Sequence, residues 1–388
     1  MFTIWYDDRT TTKMKIGILT LPFHTNYGGV LQAYALQTTI QRMGHEVCVL
    51  NINRELKRSM FMRSLSFLKY FANRYLLKRE ITYKSDRDIN KDLIACEIHF
   101  RSFISKHINE YCIRKLEKDY PEFVDGFVVG SDQIWRHDFF CKMFNSDISN
   151  AFLGFWNKKG KRVAYAPSFG VETWEYSKEE DKICEDLLKL FDYVSVRERS
   201  GVDHCNKHLG RYDVVQVLDP TMLLNDSEWS SIIDNAETHE NEGDLMCFIF
   251  DNSEEKKKIV EGIVQRTDLK PFFSYEYSDN KLERSKDRVY KKVEQWLRGI
   301  RDSKVVVTDS YHACVFSIIF GRPFIALAHD RNGEARLLSL FHEFGINKKV
   351  VRTIKDIDFE TLFQKSDCNQ CLTKLRKESL DFLNKSLN

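Results

Sequence analysis

The chain has 388 residues, more than a single hydrophobic core usually serves, so two domains are expected. Its composition, 43 % hydrophobic and 30 % charged with only 6 prolines, is that of an ordinary soluble globular protein. A formal net charge of +2 removes any global reason to expect nucleic acid as a partner.

Met1 to Lys13 is polar and mixed, unlike a signal peptide, and no later segment reaches the ~18 uninterrupted apolar residues of a membrane span. A cytoplasmic location is therefore expected. Lys15 to Leu21 reads as a short buried strand, ending in the loop Pro22 to Gly29. A helix follows, with Val30, Ala33, Leu36, Ile40 and Met43 on one face and Gly44 just past its end. Val47 to Ile52 is the next strand. From Arg54 to Arg79 there are eight Lys/Arg and one acid, Glu55, interleaved with Phe61, Leu65, Leu68, Ala72 and Tyr75 at helical spacing. Such a basic amphipathic helix suits an anionic bilayer surface, although packing on the first domain would explain the same stripe.

After this long helical region come strands at Phe127 to Val129, Arg162 to Ala166, Tyr193 to Val196 and Val214 to Leu218, the last halted by Asp219-Pro220. The polar, acidic stretch Asn225 to Asp244 reads as a domain boundary. Strands resume at Leu245 to Phe250, Phe272 to Tyr275, Val305 to Val307 and Phe324 to Leu327. An amphipathic helix from about Lys374 to Leu387 closes the chain and is expected to pack on the first domain. Alternating strands and helices in two halves imply an α/β fold of two doubly wound, Rossmann-like domains facing a central cleft. The expected limits are 14–224, 244–372 and a terminal helix over 373–388.

Ligands of such sheets bind beyond the carboxyl ends of the strands, often at a helix N-terminus. Asp309, Ser310 and His312 fall at such a junction after Val305 to Val307, where a helix cap needs only one of them. The Asn26-Tyr27-Gly28-Gly29 turn would let backbone approach a ligand closely, or it is a plain turn and cap. Ser131, Asp132 and Gln133 occupy the equivalent place after Phe127 to Val129, and Trp135 nearby offers a face for stacking a sugar. Arg197 and Arg199 follow Tyr193 to Val196, where an arginine fork suits carboxylate or phosphate. In an extended segment the two would point opposite ways.

Most of the ten cysteines, such as Cys48, Cys247 and Cys314, sit singly in apolar runs. Cys368 and Cys371 form one C-x-x-C, and no second pair completes a four-ligand zinc site, so no metal is expected. Dinucleotide, P-loop, H-E-x-x-H and G-x-S-x-G motifs are all absent.

Five segments, each at a strand end, together resemble the polysaccharide pyruvyl transferases, a family with the two-domain GT-B architecture. They are Asn26 to Ala33, Val129 to Trp135, Ser195 to Ser200, Leu218 to Pro220, and Asp309 to His312 with the following helix and Gly321-Arg322-Pro323. The resemblance spans about Lys15 to Leu327. It implies transfer of pyruvyl from phosphoenolpyruvate to a sugar of a surface polysaccharide or its lipid-linked precursor, giving a cyclic ketal and phosphate. It implies no cofactor beyond phosphoenolpyruvate as co-substrate. His312 matches the family's histidine and is the first candidate for proton transfer, with Asp132 as the second catalytic candidate. Arg197 matches its arginine for the donor anion. Many members carry arginine where this chain has Ser310, so Ser310, the helix N-terminus or Arg322 is expected to compensate. Asn26, Tyr27, Gly28, Gly29, Ser131, Gln133 and Trp135 are the expected acceptor cleft. A nucleotide-sugar glycosyltransferase and a non-catalytic carbohydrate-binding subunit are the alternatives.

Overall fold

In a computed structural model, which describes residues 12–52, 58–79, 82–251, 253–274, 290–328, 334–347, 350–364 and 368–388, two parallel sheets carry the chain. The first contains β1 (Lys15–Leu19), β2 (Glu46–Ile52), β3 (Glu110–Ile113), β4 (Gly126–Val129), β5 (Lys161–Ala164), β6 (Tyr193–Val196) and β7 (Val215–Gln216). Their order is β3-β2-β1-β4-β5-β6-β7. The central strands β1 and β4 are apolar and buried because helices cover both faces. Winding direction reverses between β1 and β4, which opens a crevice at their carboxyl ends. β3 lies inside the region expected to be all helical. It is a short, partly exposed edge strand whose residues lack a long apolar run.

The second sheet contains β8 (Leu245–Phe248), β9 (Pro271–Phe273), β10 (Val305–Thr308) and β11 (Phe324–Ala326), in the order β11-β10-β8-β9. It reverses between β8 and β10. Tyr275, expected to end a strand, lies outside the described residues, as do Arg54 and Glu55 of the basic stretch and Met1 to Thr11.

The expected boundary at Asn225 to Asp244 is not a plain linker. Asn225 and Glu228 form a reciprocal capping box that starts the Asp226–Asp234 helix. That helix buries Trp229 completely, against Tyr34 of the first half at 5.7 Å and Phe316 of the second at 5.0 Å between ring centroids. Beside it, Tyr27 stacks on Trp296 at 4.8 Å and donates its hydroxyl to the Lys291 carbonyl at 2.7 Å. One apolar core therefore runs from the first half into the second.

The Asn369–Leu387 helix returns to the first half. Arg376 Nε donates to the Met222 carbonyl at 2.6 Å, and Ser379 Oγ accepts the Leu218 N–H at 3.0 Å. No helix among the described residues is long and apolar enough to cross a membrane.

Trp229 fills space shared by both halves, and its Nε1 donates to the Thr221 carbonyl at 3.0 Å. Trp229→Ala should cost about 3–5 kcal/mol, read as a marked fall in thermal midpoint. Two transitions in place of one would reveal that the halves had been uncoupled, while an unchanged midpoint would contradict the shared core.

Candidate active site

Two strand-end loops meet where the first sheet reverses. Asn26 caps the Tyr27–Arg42 helix, its Oδ1 accepting the Gly29 N–H at 3.2 Å. Its Nδ2 donates to Asp132 Oδ2 at 3.4 Å, from the loop after β4. Asp132 holds a left-handed backbone with φ of 63°, which aspartate tolerates better than most residues, and its carbonyl accepts the Ser168 N–H at 2.9 Å. A small cleft of about 60 Å³ opens here, lined by Phe23, His24, Asn26, Gly29, Asp132 and Gln133 among others.

The loop after β10 brings the second half to this point, and its three polar residues take separate tasks. Asp309 turns toward β8, accepting the Phe250 N–H at 2.8 Å and the Lys256 ammonium at 2.7 Å. Ser310 caps the Tyr311–Ile319 helix through Ala313 N–H at 3.4 Å. His312 faces the first half. A Cβ placed on Gly28 would lie 2.0 Å from His312 Nδ1, so glycine at 28 is what admits the imidazole.

Asp219, fully buried just past β7, is the centre of the cluster. Its Oδ1 accepts the Thr221 N–H at 3.0 Å and the Thr221 hydroxyl at 2.8 Å. Its Oδ2 accepts Ser131 Oγ at 3.2 Å and Arg197 Nη1 at 3.0 Å. His312 Nε2 lies 3.4 Å from the same oxygen, an ion-pair distance at which hydrogen-bond geometry is not met. Burial alone would raise the Asp219 carboxyl. His312, Arg197 and the Thr221 N–H overcome that and hold it well below the usual carboxylate range.

Arg197 is equally enclosed. Its Nε donates to Glu198 at 2.7 Å, and its guanidinium lies 4.3 Å over the Tyr311 ring. Its Nη2 is buried without a hydrogen-bond partner. Arg199, the first residue of the Arg199–His208 helix, is exposed. Glu198 between them is buried as well, so a simple alternation does not describe the segment.

Several expected cleft residues lie elsewhere. Trp135 is fully buried, stacked on Phe152 at 4.8 Å with its Nε1 on the Ala151 carbonyl at 3.2 Å, so no face is open to a sugar. Tyr27 belongs to the aromatic contact between the halves. Gln133 lines the cleft, but its Oε1 accepts from Arg136 Nη1 at 3.0 Å. Arg322 precedes β11, at the opposite end of the sheet from His312 and separated from it by the length of the Tyr311–Ile319 helix.

Sequence reasoning missed four charged groups. Asp219 entered it only as the stop of a strand and as part of the Leu218 to Pro220 segment, not as a site residue. Glu198 is Arg197's buried partner. Arg336, on the Glu334–Glu343 helix, is partly exposed overall, yet its Nε is enclosed and lacks a hydrogen-bond partner. Burial and then the charge of Arg197 push the Arg336 guanidinium down, while Glu198 and Asp132 act the other way, which places it within electrostatic reach of the cluster. Glu343 ends the same helix. Burial, with Glu198's charge adding to it, raises its carboxyl to about 8. No local pattern marks either residue; they are two polar positions on an ordinary amphipathic helix. Among the described residues, no group of three or more His, Cys, Asp or Glu is arranged to hold a metal. Cys371 Sγ lies 3.5 Å from the Glu343 carbonyl oxygen.

A carboxyl held at about 8 keeps a proton in the fold that the unfolded chain loses near ~4.3, so it lowers stability progressively as pH rises between those values. Glu343→Gln removes this penalty. Its stability relative to the parent, measured by denaturant titration, should grow as pH is raised through that window. A difference independent of pH would show that Glu343 is not protonated in the fold.

A comparison with curated proteins returns no match. Among solved structures, the chain is similar to the UDP-GlcNAc 2-epimerase from Neisseria meningitidis bound to UDP-GlcNAc, with 10 % identity and a TM-score of 0.49 over 96 % of this chain and 99 % of that one. It is also similar to a UDP-glucosyltransferase from Polygonum tinctorium, with 9 % identity and a TM-score of 0.44 over 98 % and 99 % of the two chains. The profile described as polysaccharide pyruvyl transferase matches residues 26–331, from the Asn26 cap through Asp132, Arg197 and Asp219 to beyond His312. The chain belongs to the polysaccharide pyruvyl transferase family.

Proposed function

We propose that this protein transfers pyruvyl from phosphoenolpyruvate to two hydroxyls of a sugar in a surface polysaccharide or its lipid-linked precursor, forming a ketal and releasing phosphate. The observation that carries this reading is a histidine paired with a buried carboxylate beside two guanidinium nitrogens that lack acceptors. Arg197 is already engaged by Glu198 and Asp219 through two of its nitrogens, and Nη2 is left over. Arg336 has no carboxylate within ion-pair distance among the described residues. An anion with two charged ends, such as phosphoenolpyruvate, supplies acceptors to both. In this reading Arg336 takes the place of the arginine that Ser310 lacks, since Ser310 is occupied as a cap.

The chemistry follows from the charges. His312 as imidazolium, stabilised by Asp219, gives its proton to the methylene carbon of phosphoenolpyruvate, and positive charge develops at C2. A sugar hydroxyl attacks C2 and loses its proton, Asp132 being the carboxylate nearest the first-half cleft. The C2–O bond to phosphate breaks, and the second hydroxyl closes the ring with loss of its proton. The near-complete burial of His312 and Asp219 limits competing attack by water.

Incubation of the purified protein with phosphoenolpyruvate and candidate acceptor glycans tests the proposal. Phosphate release that requires the acceptor supports it. Turnover of a UDP-sugar instead would assign a glycosyltransferase, and glycan binding without turnover of either donor would assign a binding subunit. His312→Ala should lower turnover by about 10²–10⁴ and also lower the thermal midpoint, because it strips the buried Asp219 of a partner. His312→Gln, which keeps a polar side chain there, should lose turnover to a similar extent with more of the midpoint retained, and Gly28→Ala should lower both by displacing the ring. Arg336→Met should raise the donor KM at least about tenfold, with Arg336→Lys restoring part of the loss. An unchanged KM in Arg336→Met would remove that residue from the donor pocket.

A further inference from the structure

The Met60–Phe71 helix buries none of its residues, although it is rich in large apolar side chains. Met60 is 84 % exposed, Phe61 75 % and Leu68 63 %, and Leu76 just beyond is 75 % exposed. Packing on the first domain, one of the two explanations for this stripe, is therefore not what the fold does. The helix is held instead at its amino end, and by ring contacts of Phe67 and Tyr70 with Tyr83 at 5.4 and 5.6 Å. Arg58 and Arg63 both bind Asp86, which opens the Asp86–His107 helix. That second helix buries only Phe100, Phe103 and Ile104, near its carboxyl end. Its first thirteen residues, Asp86 to Ile98, run about 20 Å without a buried side chain and leave Ile94 and Ile98 exposed.

The two helices form an arm. The Asp86–His107 helix runs antiparallel to the strands of the first sheet, because it returns the chain from the carboxyl end of β2 to the start of β3. Its free amino-terminal part therefore projects past the carboxyl edge of that sheet, the edge that carries Asn26 and Asp132. Residues 58–79 hold six Lys/Arg and no acid. Arg58 and Arg63 share the single carboxylate of Asp86, while Lys69, Arg74, Lys78 and Arg79 face no acid among the described residues.

We infer that this arm docks the protein on an anionic lipid surface, with Phe61, Leu65 and Leu68 entering the headgroup boundary and Lys69, Arg74 and Lys78 meeting lipid phosphates. In residues 58–79, exposed apolar side chains mixed with unpaired cations and no acid match a negatively charged interface, while the acids of the arm lie on the Asp86–His107 helix. A second copy of the same arm would instead bring like charges together. Docking would hold the cleft edge of the first sheet toward the bilayer. The inference stands on the arm alone, independent of the reaction carried out in the cleft.

Sedimentation of the full chain with vesicles tests it. The protein should pellet with mixed phosphatidylglycerol and phosphatidylcholine vesicles, remain in solution with phosphatidylcholine alone, and be released by salt. Lys69→Glu, Arg74→Glu and Lys78→Glu combined should weaken binding by about tenfold or more, as should Phe61→Ser, Leu65→Ser and Leu68→Ser combined. Both sets are exposed, so an unchanged thermal midpoint is the control for folding. Failure to pellet at low salt, or undiminished binding by either variant, overturns the inference. So does a dimer in size-exclusion chromatography that the serine variant dissociates without any vesicle binding, which would assign the face to a second copy.

Discussion

The architecture of the site depends on one buried carboxylate. Asp219 accepts from Ser131 after β4, from Arg197 after β6 and from Thr221 in its own turn, and it faces His312 from the second half. An ionised carboxylate without water is costly unless each oxygen is satisfied, and here both are. Removing it would leave the enclosed Arg197 with only Glu198 for compensation, a change that in buried pairs costs about 3–5 kcal/mol. The same bonds that stabilise Asp219 fix where the loops end, so the geometry of the cleft and the stability of its floor are one property.

Around that point the two halves are locked. His312 approaches the start of the Tyr27–Arg42 helix so closely that no side chain fits at position 28. Tyr27, the neighbouring residue, stacks between elements of both halves, and Trp229 fills the space behind. The aromatic contacts supply the apolar area, while the Asp219–His312 pair supplies charge at the point where that area ends. Burial of this kind dries the site, and in a dry site the charges of Arg197 and Arg336 act more strongly on a ligand than they would in water.

The charges are also asymmetric. Carboxylates engage Arg197 on two sides, yet one nitrogen of that guanidinium and the Nε of Arg336 are left without acceptors. Glu343, which could have compensated Arg336 from the same helix, is instead held protonated by burial and by Glu198. The cluster thus retains two N–H groups without acceptors at its centre despite the number of acids around it. At the rim, residues 58–79 of the arm carry cations without acids, accompanied by apolar side chains.

Much of this was legible in the chain. The apolar runs of β1, β4, β8 and β10 are short, continuous and punctuated, because strands covered on both faces must be, and strand ends are where a parallel sheet presents ligands. Asn26, Asp132, Arg197 and His312 could therefore be picked out by position, and the family follows from their order. What each side chain does there was decided only by the tertiary structure. Ser310 and Asp309 look as available as His312 in sequence, but a helix cap and a lysine on another helix take them. Trp135 looks like a sugar platform and Tyr27 like a cleft residue, but both rings are buried in the core. Arg336 and Glu343 carry no local signal at all, since a helix period of 3.6 residues says which face is apolar and nothing about which polar residue will meet a distant loop. Sequence determines where backbone turns and which faces are buried, through short-range sterics and solvation. Partnership between charges from different halves is a long-range matter, settled only when the two sheets close on one another.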